Sequence, residues 1–523
     1  MPLLKKIIIA IVSIIILVII LNYGVSYYIT QKLPSIIHAE KDFPYNISYE
    51  DLDINLLSGS LTIHNAAIAP KGNMASEVNR SGVYGLVKKI KVEHFNLWAL
   101  LRKDRINVKR IIIDTPEITL YDRKKKYNMD DDLVKPFKNT INTQSIELTK
   151  GKFIMLDSVE KIKLKSQNIA LEFNNIKVDS TTIKNNLPVK YSTYSLKCDS
   201  LFYQISSMYH LSAGKLATTD STLTIDDFRF IPELSKVQFA RTIPKEKDQY
   251  RVSINKVTIP KSDWGFFRDT LYVHAPKVTL DNVNANIYRP KMPADDFTTK
   301  KLYSQLLREL KFDLKIDTLL LKDSFLQYEE QLEYSKPAAK VSFSKFYATI
   351  SNLYSPVNKS DFPVTMLDVQ CLFMKSASLK VNWTFKIMDE SDAFTIKGNL
   401  QNVKSKVIDP VAKPLMNITT TGDLNKVIFT FNGNRNTSNG TFAIDYDDLK
   451  VELYKKDGKK KNELMSAVGN MLVKNDSKGN LKQTDVSVER VKHKSVFNFL
   501  WRFLQEGLKK TLLPKFMSKE DKK

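Results

Sequence analysis

Hydrophobic and polar positions fall into three regimes along this chain. Residues 7–21 read IIIAIVSIIILVIIL, and no charge falls between Lys6 and Lys32. At 1.5 Å per residue, positions 7–29 predict a helix of about 34 Å, enough to cross a hydrocarbon core of about 30 Å. The second regime is strict alternation: Ile146/Leu148, Phe153/Met155, Leu171/Phe173, Val278/Leu280, Leu319/Leu321, Val381/Trp383/Phe385/Ile387, Val427/Phe429/Phe431 and Phe442/Ile444/Tyr446. With β-branched and aromatic enrichment and short Asn/Asp/Gly/Ser breaks, it predicts about 20–25 antiparallel strands of about 4–8 residues. Segments 53–63, 145–154 and 317–326 repeat one unit, read as strand, small-residue turn, strand. The third regime is helical spacing. It covers Phe95 to Leu101, 298–310 (Leu302, Leu306, Leu307, Leu310) and 463–473 (Leu464, Val468, Met471, Leu472). It is clearest at 495–513, where Phe497, Leu500, Trp501, Leu504, Leu508 and Leu512 form one apolar arc.

The first regime reads as a retained anchor. A cleavable signal peptide would need a small-x-small site, and residues 22–28 offer only Gly24 and Ser26, followed by bulky side chains. Lys5 and Lys6 place the N-terminus in the cytoplasm by the positive-inside rule and send the remaining mass to the far side. Composition then bears on partners. The net charge is +23, but no helix-turn-helix, zinc-finger or RNP-like pattern accompanies it, and the basic mass is expected outside the cytoplasm. Anionic membrane surfaces or envelope polymers fit better than nucleic acid. Solvated lysines of an AT-rich genome are the plain alternative. Cys198 and Cys371 are the only cysteines; they could pair or stay as buried free thiols.

Catalytic and metal motifs are missing. The six histidines are scattered, and H-E-x-x-H, G-x-S-x-G and G-x-x-x-x-G-K-[ST] do not occur. Two S-x-x-K matches, at Ser158–Lys161 and Ser342–Lys345, sit in strand-like runs without companion motifs. Asp130-Asp131-Asp132 lacks the spacing of a calcium loop. The expectation is a protein that is no enzyme and carries no cofactor.

Four stretches carry a family likeness. They are the N-terminal apolar run with 45–63, the run 106–120 with its Pro116-Glu117-Ile118-Thr119-Leu120, the region 422–446, and the terminal helix from Val496 to Gly507. In this order they resemble the AsmA/TamB-like envelope proteins of Gram-negative bacteria, particularly the compact forms of Bacteroidota. The resemblance implies an elongated, curled antiparallel sheet with an apolar trough, held at the inner membrane by one N-terminal transmembrane helix and closed by a C-terminal amphipathic helix. It also implies the organisation: a stub (1–6), an anchor (7–29), a β-rich region (30–297), a connecting helix (298–310), a second β-rich region (311–462) and a basic helical tail (463–523). The implied function is passage of phospholipid through the periplasm toward the outer membrane; a non-conducting assembly factor that binds outer-membrane or periplasmic proteins is the alternative. Val381, Trp383, Phe385, Ile387, Val427, Phe429 and Phe431 are the candidate lipid-lining residues. Phe497, Leu500, Trp501, Leu504 and Leu508 are the candidates for contact with an anionic membrane or a partner. Alternation cannot by itself separate a trough from sheets packed face to face.

Overall fold

The computed structural model describes residues 45–55, 59–71, 80–95, 105–122, 140–179, 182, 189–267, 270–355, 362–454, 476–477 and 479–512. The stub and anchor (1–29), positions 97–101, Asp130-Asp131-Asp132, the helix expected at 463–473 and the lysines at 515–523 lie outside the described residues. Among the described residues, no helix is long and apolar enough to cross a membrane. The fold is all-β and mostly antiparallel, and the chain divides into two compact units, Met1–Asp227 and Phe228–Lys523.

The first unit begins with β1 (Tyr45–Ser48), β2 (Asp51–Asn55), β3 (Ser60–Pro70), β4 (Gly82–Glu93), β5 (Arg105–Tyr121), β6 (Thr140–Leu156) and β7 (Ile162–Val178). It continues with β8 (Thr193–Cys198), β9 (Ser200–Ser206), β10 (Tyr209–Ala213), β11 (Leu216–Thr219) and β12 (Thr222–Pro232), within which the boundary falls. The second unit holds helix α1 (Lys236–Thr242), then β13 (Gln249–Pro260), β14 (Asp263–Phe267), β15 (Thr270–Pro290), helix α2 (Tyr303–Arg308), β16 (Asp313–Gln331) and β17 (Ala339–Tyr354). There follow β18 (Thr365–Phe373), β19 (Ala377–Phe385), β20 (Phe394–Lys404), helix α3 (Asp409–Met416), β21 (Ile418–Gly433), β22 (Thr437–Leu453), β23 (Lys482–Glu489) and helix α4 (Val496–Leu512). The helix within 298–310 is therefore a short one inside the second unit.

The strands are much longer than alternation predicted, because most of the polar breaks are not turns. β5, β6 and β7 each run 17 residues, and β15 runs 21. In the first unit the inward face changes parity at one level: Leu61 and Ile63 give way to Ala66 and Ile68, and Ile111 and Ile113 to Ile118 and Leu120. Ile146 and Leu148 likewise give way to Phe153 and Met155. Two consecutive residues face outward at each change, and one of them leaves the β region: Asn65, Thr115, Lys150 and Asn168 have φ between 50° and 55°. The ladder continues through the bend, with His64 opposite Lys89 and Asp114 opposite Thr149. A column of such kinks creases a sheet without ending its strands. The second unit has the same device at Asn282, Asp323 and Lys345, with φ of 54°, 42° and 43°. The repeats at 145–154 and 317–326 are thus creased strands. Only the 53–63 repeat joins two strands, β2 and β3.

Two neighbours run parallel, β5 with β6 and β15 with β16, where antiparallel pairing was expected. The connections at 122–139 and 291–312 are long enough for the crossover that parallel strands require. Cys198 and Cys371 are both buried free thiols, and burial pushes Cys371 up to about 11.

Candidate functional site

Register in the second unit sorts side chains into two unlike faces. Direct cross-strand neighbours share a face, so pairings can be read as rows across the strands. One row runs Leu319–Ile350–Leu367–Trp383–Ile396–Phe431 from β16 to β21. The next runs Leu321–Ala348–Val369–Val381–Gly398–Phe429 and on to Phe442 in β22. A third links Leu379, Leu400, Val427 and Ile444. The opposite face reads Thr349–Asp368–Asn382–Lys397–Thr430–Thr441. One face is apolar and the other is mostly polar, with Leu320 and Ile428 among its side chains.

Exposure along the apolar face is uneven. Leu319, Leu321, Ile350, Leu367, Val369, Leu379, Val381 and Leu400 remain half-buried, whereas Ile396, Phe429, Phe431, Phe442 and Ile444 are buried. The change comes where α4 covers the sheet. Ser495 caps this helix by accepting from the Asn498 N–H at 3.3 Å. Phe499 and Phe503 then set their rings 5.1 and 4.9 Å from that of Phe431. Gly507 lets the backbone approach Phe442, since a Cβ there would lie 2.4 Å from the ring. The Phe429 ring in turn lies over Gly398, filling the gap a missing side chain would leave in the row. The first unit shows a similar gradient. Its apolar face is buried on β3–β7, while Leu196, Leu201, Tyr203, Leu211, Leu216 and Ile225 on β8–β12 are half-buried.

A shallow hollow of about 580 Å³ crosses β16–β21, lined by both neighbours of each residue in the second row, such as Lys380 and Asn382 beside Val381. It includes none of Leu319, Leu367, Leu379 or Leu400, so it opens on the polar face. A twisted sheet is concave on both sides in different directions, so a hollow on this face is expected.

Buried ion pairs fasten the ends of α2 and α4. The fully buried Asp392 carboxylate accepts from Ser304 at 2.8 Å, Arg308 at 2.7 Å and Arg435 at 2.5 Å. Burial alone would raise this carboxyl; hydrogen bonds from Arg435, Arg308 and Ser304 outweigh it and hold it below the ordinary range. Glu246 is bound by Lys291 and by Lys494, the latter at 2.6 Å and two residues before α4. Burial pushes Glu246 up, but the two lysines win and hold it at about 2. The unfolded value is about 4.3, so this contribution is complete above that pH and is lost as pH falls toward the folded value. Its size is on the order of 3 kcal/mol. Glu246→Gln should therefore melt below the wild type at neutral pH, and the two melting temperatures should converge in acid. A difference that persists unchanged at about pH 2 would mean the pair contributes nothing through charge.

The structure brings most of the expected lining residues together, though in two settings. Val381 lies half-buried in the open stretch; Trp383, Phe385, Val427, Phe429 and Phe431 are buried on the same face, and Ile387 is fully buried just past β19. Of the expected contact residues on α4, Leu500, Leu504 and Leu508 pack against the sheet core, while Phe497 and Trp501 are 60 % and 40 % exposed. Sequence reading missed Phe499 and Phe503, which with Val496 and Gly507 mark the buried side of the helix. Their i, i+4 spacing was the signal, obscured because this helix is apolar over most of its circumference. Leu321, Leu367, Val369 and Leu400 were also missed, and only register identifies them. No group of three or more His, Cys, Asp or Glu side chains among the described residues could hold a metal ion. No protein-family model and no curated protein matches this chain.

Proposed function

We propose that this protein shields phospholipid acyl chains on the apolar face of its sheet and carries them across an aqueous envelope compartment. The observation that carries this reading is the continuous, half-buried run of Leu, Ile and Val on β16–β20, opposite a polar face. Five strands at about 4.8 Å spacing give a path of about 19 Å, still longer than one leaflet of a hydrocarbon core of about 30 Å. Each methylene kept from water is worth about 0.8 kcal/mol, so such a path can offset most of the cost of extracting a chain. The residues at 7–29, a membrane anchor on this reading, would hold the protein at the inner membrane with its bulk in the periplasm. The resemblance to AsmA/TamB-like proteins supports the same assignment, with the outer membrane as destination. The curled trough belongs to this proposal.

A second reading is favoured by α4, which seals the same face over β20–β22 as an ordinary core. On that reading the protein is a non-conducting assembly factor. The two are separated by mass spectrometry of the protein released gently from membranes. Wild type should carry phospholipid, and Leu367→Glu or Val369→Glu should lose it, because a carboxylate in a desolvated slot costs several kcal/mol. Both sites are half-buried, so the variants should still fold. Folded wild type without any bound phospholipid would leave only the assembly reading.

A further inference from the structure

We infer that α2 and the start of α4 form an aromatic lip that inserts into a phospholipid bilayer interface and passes acyl chains between the bilayer and the sheet. This rests on the lipid-carrying reading. Tyr303 of α2 and Phe497 of α4 both stand on Trp383, with ring centroids 5.3 and 6.4 Å away. One turn further along each helix come Leu306 and Trp501. Tyr303, Leu306, Phe497 and Trp501 are 42 %, 47 %, 60 % and 40 % exposed, although each is large and apolar. Met388, 50 % exposed, follows Ile387, whose carbonyl accepts from Arg308 of α2. Tyr, Trp and Phe are the side chains that settle at a membrane–water interface.

Two further observations point to lipid rather than to a generic partner. Trp383 is 9 % exposed, and its indole N–H has no acceptor among the described residues. A buried donor left unpaired is destabilising, and an ester or phosphate oxygen arriving beneath the lip would satisfy it. Trp383 is also where the first apolar row changes from half-buried (Leu319, Ile350, Leu367) to buried (Ile396, Phe431). The lip therefore stands at the mouth of the open stretch. Ion pairs from Asp392 to Arg308, and from Glu246 to Lys494, hold the two helices in place, so the apolar side chains are displayed on a fixed frame.

The test uses the full chain reconstituted in phosphatidylcholine–phosphatidylglycerol donor vesicles, with acceptor vesicles of the same composition and a fluorescent phosphatidylethanolamine. Phe497→Ser with Trp501→Ser should bind phospholipid and melt as wild type does, yet transfer lipid roughly tenfold more slowly or worse, since two aromatic anchors are lost. Leu86→Ser, at an exposed position of the first unit, should transfer normally. An environment-sensitive dye on W501C should report an apolar setting with vesicles present and a polar one in detergent-free solution without them. Normal transfer by the double variant overturns the lip alone, as does a dye that stays in a polar setting with donor and acceptor vesicles present. Wild type that retains no phospholipid overturns the lip together with the reading it rests on.

Discussion

Asp392→Ala should destabilise the second unit by about 3–5 kcal/mol, because it leaves the largely buried Arg308 guanidinium without its carboxylate and opens a site that is itself fully buried. The carboxylate is fully buried and bridges Arg308 of α2 to Arg435, just past β21, with Ser304 as third donor. Removing Arg435 should cost less, since its side chain is 47 % exposed and water can replace part of what is lost. For a unit of this size the Asp392 effect corresponds to a fall in melting temperature of roughly 6–20 °C. Thermal melts of Asp392→Ala beside Arg435→Ala would check both the size and the order. A loss below about 1 kcal/mol at Asp392 would show that the arginines simply turn to solvent. The lipid-carrying reading gives the cluster a further consequence: the lip should lose its geometry with Asp392, so lipid transfer should fail even under conditions where the unit stays folded.

Alternation made the all-β character legible and even indicated which side chains share a face within a strand. Val381, Trp383 and Phe385 do lie together, as do Val427, Phe429 and Phe431. What alternation could not convey was length. A polar pair such as Asp114-Thr115 or Asp281-Asn282 is what a hairpin turn would show, and here it is a crease with the ladder running through it. The two differ only in whether the chain returns, a matter of long-range pairing that no local pattern records. Register was hidden for the same reason. Leu321, Ala348, Val369 and Val381 are 27, 21 and 12 residues apart in sequence yet adjacent across strands, and only that adjacency makes a path. The site around Trp383 was legible only in pieces: Trp383 as a lining residue, Phe497 and Trp501 as contacts, Leu306 as part of a helix. Nothing in the sequence said that α2 and α4 meet above the same indole.

Removal of residues 495–523 should leave a second unit that does not fold, rather than a soluble body that has merely lost a membrane contact. The reason is the side of α4 that faces the sheet. Val496, Phe499 and Phe503 are buried there, and Leu500, Leu504, Leu508 and Leu512 pack beside them. Beneath them, Phe431, Phe442 and Ile444 are at most 1 % exposed. Each such side chain gains about 1.5–3 kcal/mol from burial, so uncovering this layer costs roughly 10–20 kcal/mol. A native domain has about 5–15 kcal/mol in hand, so the loss exceeds what the unit can absorb. The bared strands would also show a row of aromatic residues to solvent, an invitation to aggregate. A truncated chain that stays monomeric and melts as wild type does would mean that α4 is a detachable arm. The double substitution Phe497→Ser with Trp501→Ser then becomes the sharper tool for function, because it alters the outward side of the same helix while keeping Phe499 and Phe503 on the sheet. A protein that melts normally with those two residues changed, and collapses when the helix is removed, has a helix whose inner side holds the sheet together and whose outer side the fold does not need, which is the condition the proposed lip requires.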